Sequence, residues 1–265
     1  MSRLELLYET EGLPEFELPD ELAGRYAGGL GFSEPRLVAN FVSSVDGIVA
    51  APPLAQSSLL ISGKNESDRF VMALLRACAD AIVIGSGTLQ ASPHSLWTAA
   101  GPFRPGADGF AELRRRRGRP EEPRLVVLTA TGLIDPAHPA LERGALVLTT
   151  DGGARRLEGL LPERSELVSL GAAPTVDLGT AVELLRGRGH GLILSEAGPH
   201  VFGSLVAAGL VDELFLTLSP MLAGRAEDVT RLGLVEGHDL LAGSVRGNLL
   251  SVRRDGGHLF LRYRL

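Results

Sequence analysis

Short apolar runs that alternate with amphipathic helical stretches constrain the fold of this 265-residue chain more than any other feature. Parallel strands that are buried on both faces have such unbroken apolar sequences. The predicted strands are residues 37–42, 81–84, 125–128, 145–148 and 192–194. Apolar side chains recur at helical spacing in residues 65–79 and 177–186, and a further helix follows Pro199 and ends near Gly209. Because strands and helices alternate, we expect an α/β fold with a largely parallel sheet covered on both faces.

The two ends of the chain have different patterns. Residues 214–218, 247–253 and 259–263 are predicted strands that are separated by turns, with no clear helix between them. They favour antiparallel strands at one edge, which makes the sheet mixed. Residues 1–35 are rich in Glu, Pro and Gly with isolated apolar residues, so we predict an extended arm laid over a main domain of residues 36–265.

Composition favours a small-molecule partner over nucleic acid or membrane. Lys and Arg total 26 against 32 Asp and Glu, and a net charge of −6 repels a phosphate backbone. No run approaches the roughly 20 apolar residues that cross a bilayer. The amino terminus carries Glu5 and Glu9 and lacks the apolar centre of a secretory signal, so we expect a cytoplasmic protein. The basic run from Arg114 to Arg117 is interpreted as a solvated face.

Neither the cysteine nor the histidines indicate a metal site. Cys78 is the one cysteine and falls on the apolar stripe of a predicted helix, which favours a packed core thiol. The six histidines show no pair at metal-ligand spacing. We therefore expect no metal.

Three polar or glycine-rich segments follow predicted strands, where open α/β sheets bind their ligands. They are residues 43–47, 85–88 and 195–199. In the third, Gly198 lets a ligand approach the backbone and Pro199 suits the first turn of a helix. The unpaired N–H groups of such a helix start would suit a diphosphate.

Each segment also has a simpler interpretation. Gly85 and Gly87 lack the third glycine of a dinucleotide fingerprint, Asp46 and Gly47 fit a turn, and Glu196 fits a helix-start carboxylate. Spacing by itself predicts an α/β enzyme with a nucleotide-like ligand.

Taken together, the segments resemble the RibD carboxyl-terminal domain family. The stretch SEAGPHVFGSLVAAGLVDELFLTLSPMLAG (residues 195–224) is similar to the most recognisable part of that family. ANFVSSVDGIVA (39–50) resembles its opening strand and turn, and ISGKNESDRFVMALLRACADAIVIGSGTL (61–89) resembles its first helix and second strand. The likeness runs from about Arg36 to the end. It implies a dihydrofolate reductase-like three-layer α/β/α fold.

The resemblance also implies an activity. Such proteins use NADPH to reduce the ribosyl group of 5-amino-6-(5-phosphoribosylamino)uracil in riboflavin biosynthesis, with hydride delivered to C1′. Asp46 and Glu196 become the catalytic candidates, either of which would deliver or relay a proton. The implied cofactor-binding residues are Gly85, Gly87, Thr88, Thr129, Ser195, Ala197, Gly198 and Pro199. The implied substrate-binding residues are Asn40, Ser44, Asp46 and Glu196.

Departures from the family keep other functions open. The chain has too few cysteines for the zinc deaminase domain of full-length RibD, so we expect no deaminase activity. In residues 90–97 (QASPHSLW), Ser92 and His94 stand where the family commonly has charges that read the ribose phosphate. The alternatives are a reductase of dihydrofolate, a pterin or another small molecule, and a non-catalytic NADPH-binding homologue. We also predict a homodimer, because residues 249–252 and 259–261 are apolar for an exposed sheet edge.

Overall fold

A sheet of ten strands runs through the protein in a computed structural model that describes residues 3–52, 57–243 and 245–265. Residues 1 and 2 of the predicted arm lie outside the described residues. The strands are β1 (Glu5–Glu9), β2 (Arg36–Ser44), β3 (Ile48–Ala50), β4 (Ala81–Gly85), β5 (Arg124–Thr129), β6 (Leu146–Thr149), β7 (Glu166–Ser169), β8 (Leu192–Ser195), β9 (Glu213–Ser219), β10 (Leu232–Gly233), β11 (Asn248–Asp255) and β12 (His258–Arg264). The helices are α1 (Asp20–Tyr26), α2 (Ser57–Ile61), α3 (Glu66–Cys78), α4 (Ser86–Gln90), α5 (Ala107–Arg116), α6 (Pro139–Arg143), α7 (Asp151–Leu157), α8 (Leu178–Gly187) and α9 (Pro199–Ala207).

The sheet is mixed and mostly parallel. Its strand order is β1-β11-β12-β9-β2-β8-β4-β5-β6-β7, and β3 and β10 form a separate small sheet. All neighbours from β9 to β7 pair parallel, whereas β12, β11 and β1 add to β9 in antiparallel fashion. The predicted fold class, with antiparallel strands from the carboxyl-terminal part at one edge, is confirmed.

Two apolar cores lie on opposite faces of this sheet. On one face Phe70 and Leu74 of α3 pack with Val38 of β2. On the other face Leu185 of α8 and Phe202 of α9 pack against the sheet. Because strand side chains alternate between faces, the neighbours of Val38 on β2 belong to the second core. Each fully buried leucine or phenylalanine contributes about 1.5–3 kcal/mol to the burial free energy.

The first 35 residues contribute a strand and a helix. β1 pairs with β11, and α1 places Leu22 and Tyr26 in the first core. The buried Arg253 secures both elements: its Nε donates to the Tyr26 carbonyl at 2.8 Å and its Nη2 donates to Glu9 at 2.8 Å. The division into an arm and a main domain stays a prediction.

The basic run is wrongly interpreted as a solvated face where Arg114 is concerned. Its side chain is 1% exposed, and its Nη1 donates to the carbonyls of Arg76, Ala77 and Ala79 at 3.2, 3.1 and 2.7 Å. These carbonyls end α3, where a helix has acceptors without partners and a partial negative charge. Arg114 therefore caps the carboxyl terminus of α3.

The outer edge of the antiparallel strands is β1. β11 lies between β1 and β12, and β12 lies between β11 and β9, so the apolar strands that motivated the dimer prediction are already paired. β1 itself exposes Leu6, Leu7 and Tyr8. No helix in the described part of the chain is long and apolar enough to cross a membrane.

Candidate functional site

At the carboxyl edge of the sheet β8 ends before its neighbours do, which leaves a gap between β2 and β4 that is called the cleft below. Ser195, the last residue of β8, lies level with Ala39 on β2 and with Val83 on β4. β2 continues to Ser44 beyond that level. The chain leaves the sheet at Glu196, whose amide donates to the Val83 carbonyl at 3.0 Å. The cleft therefore lies between the upper part of β2 and the end of β4.

Two helix starts meet beside this cleft. α4 begins after Gly85 and α9 begins after Gly198, and neither has a side-chain cap. A Cβ atom placed on Gly198 would lie 3.8 Å from the Thr88 hydroxyl, so the two corners adjoin. By contrast, the amino termini of α3, α7 and α8 are capped by side chains.

The first-turn amides of α9 are available to an anion. His200 and Val201 occupy positions whose N–H groups have no acceptor within the helix, and Pro199 has no N–H to satisfy. A Cβ atom on Gly87 would meet nothing within 4 Å, which leaves open space beside α4. The arrangement can accept a phosphate or diphosphate group.

Thr129 and Ser195 reach the same edge but are differently placed. Thr129 is buried, and its hydroxyl oxygen accepts the Gly132 amide at 3.1 Å, so it orders the loop after β5. The Ser195 hydroxyl is buried without a hydrogen-bond partner among the described residues. It borders a cavity of about 10 Å³ on the α8 face, opposite Glu196. Ala197 is buried at the corner.

Asp46 is held as an anion by donors on both of its oxygens. Ser44 Oγ donates to Oδ1 at 2.6 Å, and the amides of Ala223 and Gly224 donate at 3.0 and 2.7 Å. The hydrogen bond from Ser44, followed by those from the two amides, lowers the pKa of Asp46 well below its usual range. Its carboxylate ties the turn after β2 to the segment after β9. Such a group is a poor proton donor.

Ser44 stabilises the same turn after β2. Its hydroxyl donates to Asp46 and accepts the Ile48 amide at 2.9 Å, and the side chain is fully buried. The segment after β9 extends to the corner of α9, where the Glu236 amide donates to the Pro199 carbonyl at 3.3 Å. One connecting segment thus contacts both the Asp46 turn and the α9 corner.

Glu196 is paired with an arginine that the sequence reasoning missed. Arg76 of α3 donates from Nε to Oε1 at 2.7 Å and from Nη2 to Oε2 at 2.5 Å. Both side chains are 9% exposed, so this bidentate pair is largely removed from water. The sequence did contain a signal for this pair, because Arg76 lies in the apolar stripe of an amphipathic helix and arginine is rarely buried without a partner.

A third carboxyl group, Asp68, was also missed. It lies in the first turn of α3, where its amide is capped by Asn65 at 2.8 Å. Its side chain is buried and hydrogen-bonded to the Thr217 hydroxyl of β9. Burial raises the pKa of Asp68 to about 6, against the opposing effects of Thr217, His258 and Arg69. From sequence, an Asp at a helix start predicts no more than a favourable interaction with the helix dipole.

Asn40, Glu196 and Thr217 project toward the α3 side of the sheet. Val38, Leu194 and Phe215 pack in the core that includes α3, and the three polar residues each follow two positions later. Asn40 is half-buried. Asn40 and Glu196 therefore lie on the α3 side of the cleft, and the missed Asp68 lies on the same face of the sheet beside Thr217 of β9.

Two further observations concern the cysteine and the side chains that commonly bind metals. Burial raises the pKa of the Cys78 thiol to about 11, as expected for a core cysteine. Among residues 3–52, 57–243 and 245–265, no group of three or more His, Cys, Asp or Glu side chains is placed to hold a metal ion.

The fold and the cleft define an α/β protein with a candidate ligand site at the carboxyl edge of a mostly parallel sheet. Within that class, the chain belongs to the RibD C-terminal domain family, whose profile matches residues 35–260. The family resemblance noted in the sequence is confirmed.

Individual relatives agree with this assignment. The chain is 28% identical over 231 residues to 2,5-diamino-6-ribosylamino-4(3H)-pyrimidinone 5′-phosphate reductase of Methanothermobacter thermautotrophicus, covering 86% of this chain and 97% of the relative. It is 25% identical over 197 residues to the enzyme of the same name from Archaeoglobus fulgidus, covering 74% and 85%. A pyrimidine reductase-like protein from Corynebacterium diphtheriae shares the fold, with a TM-score of 0.64, 22% identity and coverage of 87% of this chain and 91% of that one.

Proposed function

We propose that this protein is an NADPH-dependent reductase of riboflavin biosynthesis that reduces the ribosyl group of a ribosylaminopyrimidine 5′-phosphate at C1′. The observation that carries the proposal is the meeting of two uncapped, glycine-led helix starts beside a cleft lined by Asn40 and Glu196. Family membership and the names of both curated relatives support a pyrimidine phosphate reductase.

The chain's own groups fit a nicotinamide dinucleotide. The amides of His200 and Val201 would bind the diphosphate, with the Thr88 hydroxyl beside them. The open space at Gly87 admits the cofactor where a side chain would obstruct it. When bound, the cofactor supplies a hydride; the protein contributes positioning and exclusion of water. Gly85, Thr129, Ala197 and Pro199 shape this half of the site.

Substrate recognition is assigned to the α3 side of the cleft. The Asn40 side-chain amide is available to hydrogen-bond a pyrimidine edge. The Arg76–Glu196 pair holds the Glu196 side chain in place next to it. Arg69 follows Asp68 on α3, and its buried Nε has no hydrogen-bond partner among the described residues. Its charge acts on the neighbouring Asp68 but forms no salt bridge among the described residues, so its guanidinium would be available to bind the phosphate. Asp46 and Ser44 stabilise the turn after β2 at the edge of the cleft.

The direct experiment is a turnover assay that follows loss of nicotinamide absorbance. We expect NADPH oxidation with 5-amino-6-(5-phosphoribosylamino)uracil or its diamino counterpart, and an Arg69→Gln variant should show a raised KM for the phosphorylated substrate. Absence of oxidation with both pyrimidines would contradict the proposal.

A second candidate is reduction of dihydrofolate or another pterin. It is favoured by residues 90–97, whose one ionisable side chain, His94, is exposed. That segment is fixed by other contacts: Gln90 donates to the Leu133 carbonyl at 2.9 Å, and the His138 ring bonds the Ser92 carbonyl at 3.1 Å. Oxidation with dihydrofolate but not with the pyrimidines would favour this function. NADPH binding without turnover of either class would favour a non-catalytic homologue.

We also propose a cytoplasmic homodimer. With β11 and β12 paired inside the sheet, the proposal rests on β1, which is the outermost strand and exposes Leu6, Leu7 and Tyr8. A solution mass of twice the 28.0 kDa chain is expected. A single-chain mass at micromolar concentration, measured by light scattering, would contradict the dimer.

A further inference from the structure

Three carboxyl groups, those of Asp46, Glu196 and Asp68, lie at the carboxyl edge of the sheet near β2, and their partners differ in kind. Asp46 accepts from one hydroxyl and two backbone amides. Glu196 accepts two charge-assisted hydrogen bonds from Arg76. Asp68 has a neutral hydroxyl, that of Thr217, as its hydrogen-bond partner. The first two environments stabilise a carboxylate, whereas the third does so only weakly.

Burial adds to this contrast. Asp68 is 6% exposed, and loss of hydration disfavours its charged form. The negative charge of Glu196 acts in the same direction, while His258 from β12 and Arg69 from α3 oppose it without preventing a raised pKa. Arg76, the other cation on the same helix, is committed to Glu196.

Asp68 lies beside β9, so β2 with Asn40 stands between it and Glu196 at the end of β8. Its partner Thr217 lies level with Val42 on β2, two residues beyond Asn40. Thr217, Asn40 and Glu196 share the α3 face of the sheet, and the charge of Glu196 is close enough to affect Asp68. A substrate beside Asn40 would therefore meet the first turn of α3.

We propose that Asp68 is the catalytic acid that supplies the proton consumed in the reduction, a role that rests on the proposed function. Hydride from the nicotinamide dinucleotide forms the new C–H bond at C1′ of the opened, imine form of the substrate. The C=N π electrons pass to nitrogen, which takes the proton from the Asp68 carboxyl group. The O–H bond of that group breaks, the dihydronicotinamide is oxidised, and the Asp68 carboxylate regains a proton from solvent.

The test uses Asp68→Asn, which keeps the size of the side chain and its contact with Thr217. Glu66→Gln is the matched control, because Glu66 lies in the same turn of α3 and is a half-exposed carboxylate that forms a salt bridge with the buried Arg25. We expect the single-turnover rate of hydride transfer to fall about 100-fold or more in Asp68→Asn, the usual contribution of a general acid. The wild-type rate should decline as pH rises through about 6, the pKa to which burial raises Asp68, and the variant should lose this dependence. The Glu66→Gln enzyme should keep it.

Infrared difference spectroscopy gives a readout that does not depend on turnover. A protonated carboxyl band should titrate near pH 6 in the wild-type protein and be missing from Asp68→Asn. NADPH affinity should be equal in all three proteins. Full activity of Asp68→Asn with an unchanged pH profile, or no such band, overturns the role of Asp68 alone. A wild-type protein that binds NADPH and reduces neither pyrimidine overturns the proposed function and this role with it.

Discussion

Replacing Asp68 with asparagine should stabilise the folded protein, although the same change is expected to impair catalysis. Burial raises the pKa of Asp68 from 3.8 to about 6. Below the lower value both folded and unfolded chains hold the proton, so the group has no effect on stability. As pH rises above it, the unfolded chain releases the proton first, and wild-type stability falls until the folded state is ionised as well. The separation of the two values corresponds to ~3 kcal/mol above pH 7.

Urea denaturation at pH 5 and pH 8 measures this effect. Linkage gives a deficit for the wild type of ~1.5 kcal/mol at pH 5 and ~3 kcal/mol at pH 8, so the advantage of Asp68→Asn should widen by ~1.5 kcal/mol over that interval. Burying the uncharged asparagine amide has its own cost, which reduces the stability gain of Asp68→Asn by the same amount at both pH values. Glu66→Gln removes a carboxylate from the same turn of α3, the half-exposed partner of the buried Arg25, and serves as the control because any change in stability it causes does not involve Asp68. If the difference in the free energy of unfolding between wild type and Asp68→Asn is the same at both pH values, the reasoning is refuted.

Three further predictions test other parts of the site. Arg76→Met should lower the free energy of unfolding by about 3–5 kcal/mol because it leaves the carboxylate of Glu196 buried and unpaired; the double variant Arg76→Met, Glu196→Leu should recover most of that loss in the same denaturation assay, and an equal or larger loss would count against the pair. Gly87→Leu, at a position where a Cβ meets nothing within 4 Å, should leave the midpoint of urea unfolding within ~0.5 M of the wild type, yet weaken NADPH binding at least about tenfold in a fluorescence titration; unaltered affinity would show that the cofactor lies elsewhere. Asp46→Asn should speed hydrogen exchange at the Gly224 amide, which donates to that carboxylate at 2.7 Å; unchanged protection there would mean that Asp46 does not hold the segment after β9.

Much of the central sheet could be predicted because its signals are local. β4, β5, β6 and β8 are unbroken apolar runs, since each lies between two strands and under helices on both faces. The start of α9 after β8 could be predicted equally well, because Gly198 and Pro199 favour a helix start by their own conformational preferences. These features locate the carboxyl-edge cleft without any knowledge of distant contacts.

The chemistry of the cleft was less predictable because it depends on pairs far apart in sequence. Arg76 and Glu196 are separated by 120 positions, and the partner of Asp68 lies on β9. Arg114 is buried because three carbonyls at the end of α3 need a donor, although its own neighbours in sequence are basic and polar. β1 lacked a strand signal, since its side chains remain exposed at the sheet edge. Local patterns therefore predicted the glycine-proline corner at the edge of the sheet, whereas the surroundings of each carboxyl group depend on tertiary partners that no local pattern contains.

A crystal structure of the protein with NADPH tests the central claim most directly. The account predicts diphosphate density within hydrogen-bond distance of the His200 and Val201 amides, with the nicotinamide ring in the cleft between β2 and β4. Density for the diphosphate at any other edge of the sheet, with the first turn of α9 left empty, would contradict it.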